Sequence, residues 1–319
     1  MHRLWHKDST KPKLAQAEGM SDPTTDHDWT IRALNIHGTF FERWCREIIQ
    51  RSAAWRVRYS NYPVGWMRSH EGALDIRADQ LTEGHLISLL IECKKHNPEF
   101  VDWVFFPQLP ATAEQAVLRL SQLRWQSVDQ VTWNVVVKHA TLPWRSLVTD
   151  EARETRGDYL GYKKQSDKTK TANRAIEEAA HQVAVATQWI RFEEQRFGNA
   201  LGATVPAQPP PHTHHHIIPV IVTTAKLYLC EFDPADIDPA TGGLPLDKAH
   251  LTSVPNLRYE YPIPLSIQAG PPAEELSQIL LDRQMHRFQR LQIEVINSRA
   301  FEGFLRDFDF DPNHPYHRI

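Results

Sequence analysis

One stretch limits what this chain can become: Gly72 to Lys95, GALDIRADQLTEGHLISLLIECKK. It reads as two strands joined by a polar turn at Thr82, Glu83 and Gly84. The first strand covers Ala73–Ala78 and the second Leu86–Lys94. The second is almost continuously apolar until it meets Glu92 and Lys94. Burying an acid and a base at its end is costly unless they are paired or bound to a metal.

Side chains alternate along a strand, so Glu92 and Lys94 share a face and Cys93 turns to the other. If the two strands pair near these ends, Asp75 converges with Glu92 and Lys94. Two carboxylates suit a hard divalent cation that takes oxygen ligands and keeps several waters. The lysine can orient a water and offset phosphate charge. The plainer reading is a solvent-facing ion pair at a strand end, worth about 0–1 kcal/mol.

Upstream, Ile31, Leu34, Phe41, Trp44, Cys45, Ile48 and Ile49 recur at helical spacing. A helix is expected over 29–53, with Asp28 as its N-cap and Gly38 as a point of bending or splitting. Glu42, Arg43 and Arg46 lie on its polar side. Glu42 is either a solvated helix acid or a further carboxylate for the site. A strand is expected at Trp55–Tyr59, broken by Asn61, Pro63 and Gly65. Beyond Lys95 we expect an aromatic and apolar run over Phe100–Phe106 ended by Pro107 and Pro110, a helix over Ala111–Trp125, a strand over Val131–Val137 and loops over Pro143–Leu160. A long helix follows over Thr171–Phe197, with Ala175, Ile176, Ala179, Val183, Ala186 and Ile190 on one face. Residues 198–213 read as a Gly/Pro-rich linker. Ile217–Cys230 reads as two strands turning near Thr224–Lys226, with Pro219 marking a sheet edge. After a Pro/Gly/Asp-rich stretch, Ile293–Ile296 is strand-like and Ser298–Phe308 amphipathic.

The chain has 319 residues and a formal net charge of -3, so a nucleic-acid surface would have to be a local patch. Lys163, Lys164, Lys168 and Lys170 form one cluster, either a solvated loop or a phosphate-contacting segment. Lys95, Arg43 and Arg46 are further phosphate contacts to consider. His212 and His214–His216 read as a flexible tract of adventitious metal affinity, not a built site. The three cysteines, Cys45, Cys93 and Cys230, form no CxxC pair, which argues against structural zinc and for a reducing compartment. No Walker-type phosphate loop occurs, and hence no nucleotide cofactor is expected. Without a secretory h-region or a membrane-length apolar run, a cytoplasmic protein is expected.

The order of these features resembles the PD-(D/E)xK, or restriction-endonuclease-like, nuclease superfamily. A helix with an acid (Glu42 in GTFFERW) precedes a strand with Asp75 (ALDIRAD) and an apolar strand ending Glu92-Cys93-Lys94. A later helix leads to IIPVIVTTAKLYLC, similar to the hydrophobic strand followed by Thr in Mrr-type restriction endonucleases. The residue before Asp75 is Leu74, where the motif's name has Pro. The resemblance implies an α/β fold with a mixed central sheet flanked by helices. The polar tail would cover 1–28 and the nuclease domain 29–232, with an insertion about 96–170 and a C-terminal extension 233–319. It implies Mg²⁺ (or Mn²⁺) on Asp75 and Glu92, with Lys94 and Glu42 as further catalytic residues. Double-stranded DNA is the implied substrate, in bacterial restriction or anti-phage defence. A homodimer or a protein partner would be engaged through the C-terminal region. The competing reading is a catalytically silent module of the same fold that binds nucleic acid or protein in a complex.

Overall fold

The computed structural model describes residues 26–36, 38–66, 70–82, 84–96, 102–107, 118–127, 133–142, 148–155, 174–202, 214–264, 267 and 290–308. Of the expected tail, 1–25 lies outside these residues, as do Lys163, Lys164, Lys168, Lys170 and His212.

The expected first helix is two. Helix α1 spans Asp26–Ile36 and α2 spans Thr39–Arg51. Gly38 separates them at φ 79, a left-handed conformation that favours glycine. Asp28 therefore lies inside α1 and is not its cap. Strands β1 (Arg56–Trp66), β2 (His70–Thr82) and β3 (His85–Lys94) form an antiparallel meander. Asn61, Pro63 and Gly65 do not end β1, contrary to the sequence expectation. Because β1 lies at the end of the sheet order, a missing proline N–H leaves no central ladder bond unmade. Asn61 takes φ 51 to accommodate the bend.

Next come β4 (Asp102–Pro107), β5 (Leu118–Ser127), β6 (Trp133–Leu142) and β7 (Val148–Thr155). Two of these correct the sequence reading. The segment expected as a helix over 111–125 is a strand from Leu118, because LRLSQLRW satisfies both periods and pairing with β6 decides between them. The segment expected as loops over 143–160 contains β7. Its polar run VTDEARET becomes a strand because β4 and β11 pair with its two sides. Helix α3 spans Arg174–Gly202, so residues 198–202, expected as linker, are helical, and 203–213 lie outside the described residues. Strands β8 (His214–Thr223), β9 (Lys226–Glu231), β10 (His250–Val254), β11 (Asn256–Pro262) and β12 (Arg290–Asn297) follow, then α4 (Ser298–Asp307).

Among the described residues, all twelve strands belong to one mixed sheet, ordered β1-β2-β3-β8-β12-β11-β7-β4-β9-β10, with the β5–β6 hairpin attached to β8. The chain is thus α/β, a mixed sheet flanked by a few helices. Pro219 sits inside this sheet and not at its edge. On one side of β8, β5 pairs with residues 214–217 and β12 with 220–223. Pro219 falls in the gap between them, where a missing N–H is cheapest.

Two core layers sandwich the sheet. One packs α3 (Ile176, Ala179, Val183, Ala186, Ile190) on Leu90, Ile217, Ile221 and Ile293. The other packs α2 (Cys45, Ile48, Ile49) and α4 (Phe301, Phe304, Leu305) on Ile87, Leu89, Ile91, Cys93 and Val220. Burial on both faces accounts for the unbroken apolar run of β3. Residues after 232 also supply β12, which lies between β8 and β11. No helix among the described residues is long and apolar enough to cross a membrane.

Candidate metal centre

Strand β2 turns over at Asp75. Leu74 packs in the α3 layer and Ile76 in the α2 layer, although residues two apart share a face in a regular strand. The β2–β3 pairing runs from Thr82↔His85 to Ile76↔Ile91 and stops there. The Asp75 side chain then takes over, its Oδ2 accepting the Cys93 N–H at 2.7 Å. The kink thus ties Asp75 to the end of β3, beside Glu92.

Glu92 is 2% exposed, and its Oε1 lies 2.9 Å from Lys94 Nζ. Lys94 Nζ also donates to Gln182 Oε1 of α3 at 2.8 Å. The lysine is therefore held between its own strand and the covering helix. A solvent-facing pair is ruled out, since burial changes the energetics. Desolvating an ion pair costs several kcal/mol per ion and is offset only when the remaining polar atoms are satisfied. Here one is not: Glu92 Oε2 is buried with no hydrogen-bond partner among the described residues.

The acids act on one another. Burial first, then the Asp75 charge and a smaller push from Glu42, raise the Glu92 carboxyl to about 8 against the opposing Lys94. Burial likewise lifts Asp75 to about 6, against the Cys93 N–H and Lys94 and with Glu42. Glu42 is therefore close enough to be felt at both carboxyls. It lines a cavity of about 260 Å³ with Thr39, Arg43, Arg46, Asn61 and Asp75. A Cβ on Gly38 would lie 3.9 Å from Glu42 Oε1.

Asp75, Glu92, Lys94 and Glu42 are thus gathered at one end of β3. Arg43 and Arg46 face the same cavity. Lys95 is engaged elsewhere: its Nζ donates to Asn35 O at 2.8 Å and to Asn35 Oδ1 at 2.6 Å, tying α1 to the strand end. Gln182 was not expected at the site. The available signal was a polar side chain next to Val183 on a helix buried along most of its length. On its far side Lys94 borders a second cleft, of about 430 Å³, with Glu177, His181, Gln182 and Tyr261.

Among the described residues no set of three His, Cys, Asp or Glu is arranged to hold a metal. A cation here would use the two carboxylates and complete its shell with water, which suits Mg²⁺. The partnerless Glu92 oxygen and the repulsion that Asp75 and Glu42 exert on Glu92 fit such an ion.

The histidine tract is not a linker. His215 and His216 are fully buried in β8. Ser88 Oγ donates to Asp79 Oδ1 at 2.6 Å and lies 2.8 Å from His215 Nε2. His85 Nδ1 and His216 Nε2 are 3.0 Å apart. These partners come from β2 and β3, so the pairing β3 offers to β8 is what orders the tract.

Comparison of the chain with family models, with curated proteins and with solved structures finds no match.

Proposed function

We propose that the chain is a Mg²⁺-dependent endonuclease of restriction-endonuclease-like fold, hydrolysing phosphodiester bonds in DNA, duplex DNA above all. The carrying observation is the buried, partnerless Glu92 Oε2 beside Asp75, two carboxyls raised by burial, Glu92 further by the Asp75 charge and Asp75 by Glu42. A divalent cation relieves both the desolvation and the repulsion. The chemistry supplied by bound Mg²⁺, or Mn²⁺ in its place, is polarisation of a phosphoryl oxygen and a lowered pKa for water.

The chain's own residues do the rest. Asp75 and Glu92 hold the ion. Lys94, fixed by Glu92 and Gln182, presents its ammonium to the attacking water and to the charge that grows on the phosphate. Glu42 adds negative charge on the α2 side, and Arg43 and Arg46 contact phosphates of the bound strand. The exposed Leu251 on β10, an end strand of the sheet order, with Leu246 nearby in sequence, offers a C-terminal surface for a second copy or a protein partner. A cytoplasmic effector of restriction or phage defence is the setting this chemistry suits.

Plasmid cleavage tests the reading. Wild type with Mg²⁺ is expected to cut and EDTA to stop it, and Asp75→Asn and Lys94→Ala are each expected to lose about 10²-fold or more. Cutting that survives both substitutions would sink the site. No cutting by wild type, together with no effect of Mg²⁺ on thermal stability, would favour the silent binding module.

A further inference from the structure

We infer that the α2–β1 side of the molecule carries an arginine track for the phosphate backbone of duplex DNA, leading away from the metal centre and ending on Arg56 and Arg58. The inference takes its occupant from the nuclease reading above. Arg43 and Arg46 border the Asp75 cavity. A larger groove, of about 800 Å³, continues along the same hairpin and is lined by Ala53, Ala54, Arg56, Arg58, Arg77 and Leu81 among others. The two hollows meet along the chain. Ser60 and Ile76 line the first, while Arg58 and Arg77 line the second.

The charges in this groove are unequal in kind. Arg77 is spent on Asp79, Nε to Oδ1 at 3.0 Å. Arg56 and Arg58 are exposed, and neither forms an ion pair with an acid among the described residues. The same holds for Arg43 and Arg46 of the first cavity. In a chain of net charge -3, four guanidinium groups lining two neighbouring hollows, with no ion-pair partner among the described residues, are a local feature and not the average. They are all arginine, the side chain whose planar fork matches phosphate oxygens.

Backbone geometry also sets Arg58 apart. Val57 pairs with Ala78 and Tyr59 with Arg77, so Arg58 is the extra residue of a β-bulge on the end strand. A bulge re-aims one side chain and increases local twist. Arg58 lies 5.6 Å from the Tyr59 ring, and Tyr59 is itself 43% exposed. An aromatic ring beside a guanidinium steadies it by cation–π attraction and leaves its N–H donors free for phosphate oxygens. The track therefore predicts affinity that depends on salt and not on sequence.

The test is binding of a fluorescein-labelled duplex oligonucleotide in EDTA, by anisotropy over a salt series. The variants are Arg56→Gln/Arg58→Gln and a control of equal charge loss, Lys226→Gln/Arg299→Gln, at exposed positions on β9 and α4. The first pair is expected to weaken binding about tenfold and to lower the salt slope by about 2. The control keeps the wild-type slope. Equal losses in both pairs, or an unchanged slope in the first, overturn the track and leave those arginines to an acidic protein surface. So does a wild type that binds no duplex. The two readings fail separately. A chain that binds through Arg56 and Arg58 yet never cuts with Mg²⁺ loses the nuclease reading and keeps the track. A chain that cuts, but whose Arg56→Gln/Arg58→Gln variant binds normally, loses the track alone.

Discussion

At the scale of single residues, Glu92 decides the most. Its carboxyl sits at about 8 and that of Asp75 at about 6, both above their unfolded values of about 4. Between those limits the folded chain holds protons that the unfolded chain has released. Stability without metal is therefore greatest below about pH 4 as far as these groups are concerned, and falls as pH rises through 6 and 8. Because metal needs the ionised forms, its stabilisation should grow over the same range. A thermal melt in EDTA should thus drop from pH 6 to pH 8.5, and added Mg²⁺ should raise the midpoint more at pH 8.5. Melts that do not respond to pH or Mg²⁺ would contradict the site. Glu92→Gln keeps the shape and removes the charge. At pH 8.5 in EDTA it should melt about 2–5 °C above wild type and lose the Mg²⁺ response.

The neighbourhood of Glu92 and Lys94 was legible because period-two alternation puts both on one face of β3; Asp75 joins them through a break in that alternation, Leu74 and Ile76 lying in opposite layers, which the pattern did not show. The buried histidines were not legible. His215 and His216 follow a Pro-rich stretch, and only the pairing partners Ser88 and His85, 127 and 131 residues away, give them a buried place. Gln182 was missed for a related reason. Helical periodicity marks which face is buried, but not which polar side chain within it meets a lysine from another element.

At the scale of elements, the joint between α1 and α2 positions the acid Glu42 and the anchor Lys95. Gly38 takes φ 79, and an added Cβ would meet only ordinary contacts, at 3.9 Å from Glu42 Oε1 and 4.0 Å from Lys95 Cβ. The expected cost of Gly38→Ala is therefore conformational, about 1–2 kcal/mol, with Gly38→Asn costing less. Denaturant unfolding of the two variants measures it, and equal stabilities would show that the joint relaxes freely. Several elements were misread where local pattern and partner disagree. The LRLSQLRW segment fits helix and strand alike, and β7 has little apolar pattern at all. Their identities come from neighbours distant in sequence, β6 for the first, β4 and β11 for the second. Strand β3 was easy because its pattern is its environment: buried on both faces, it can tolerate polar groups only where something binds them.

At the scale of the whole molecule, the sheet is closed by its last strand. β12 joins β8 in parallel through Glu294–Asn297 and β11 in antiparallel along its length. Helix α4 then packs Phe301, Phe304 and Leu305 into the α2 layer, and Trp55 Nε1 donates to Leu305 O at 3.2 Å. Removing residues from 290 onward would strip β8 and β11 of a partner and open both core layers. The truncated chain is expected to lose its cooperative melt and aggregate, because exposed apolar strand edges pair with other chains. A truncated chain that melts cooperatively would mean that the first eleven strands hold together alone.

The late arrival of β12 has a consequence for synthesis. Contacts between elements so far apart in sequence form slowly, after the loops between them have closed. The strand bearing Glu92 and Lys94 leaves the ribosome about 200 residues before the strand that completes its sheet. Until then β8 lacks its β12 neighbour and the α2 layer lacks α4. A nascent chain would therefore carry every residue of the candidate site before the sheet and the core around it are complete. On the proposed nuclease reading, cutting would begin only after synthesis has ended.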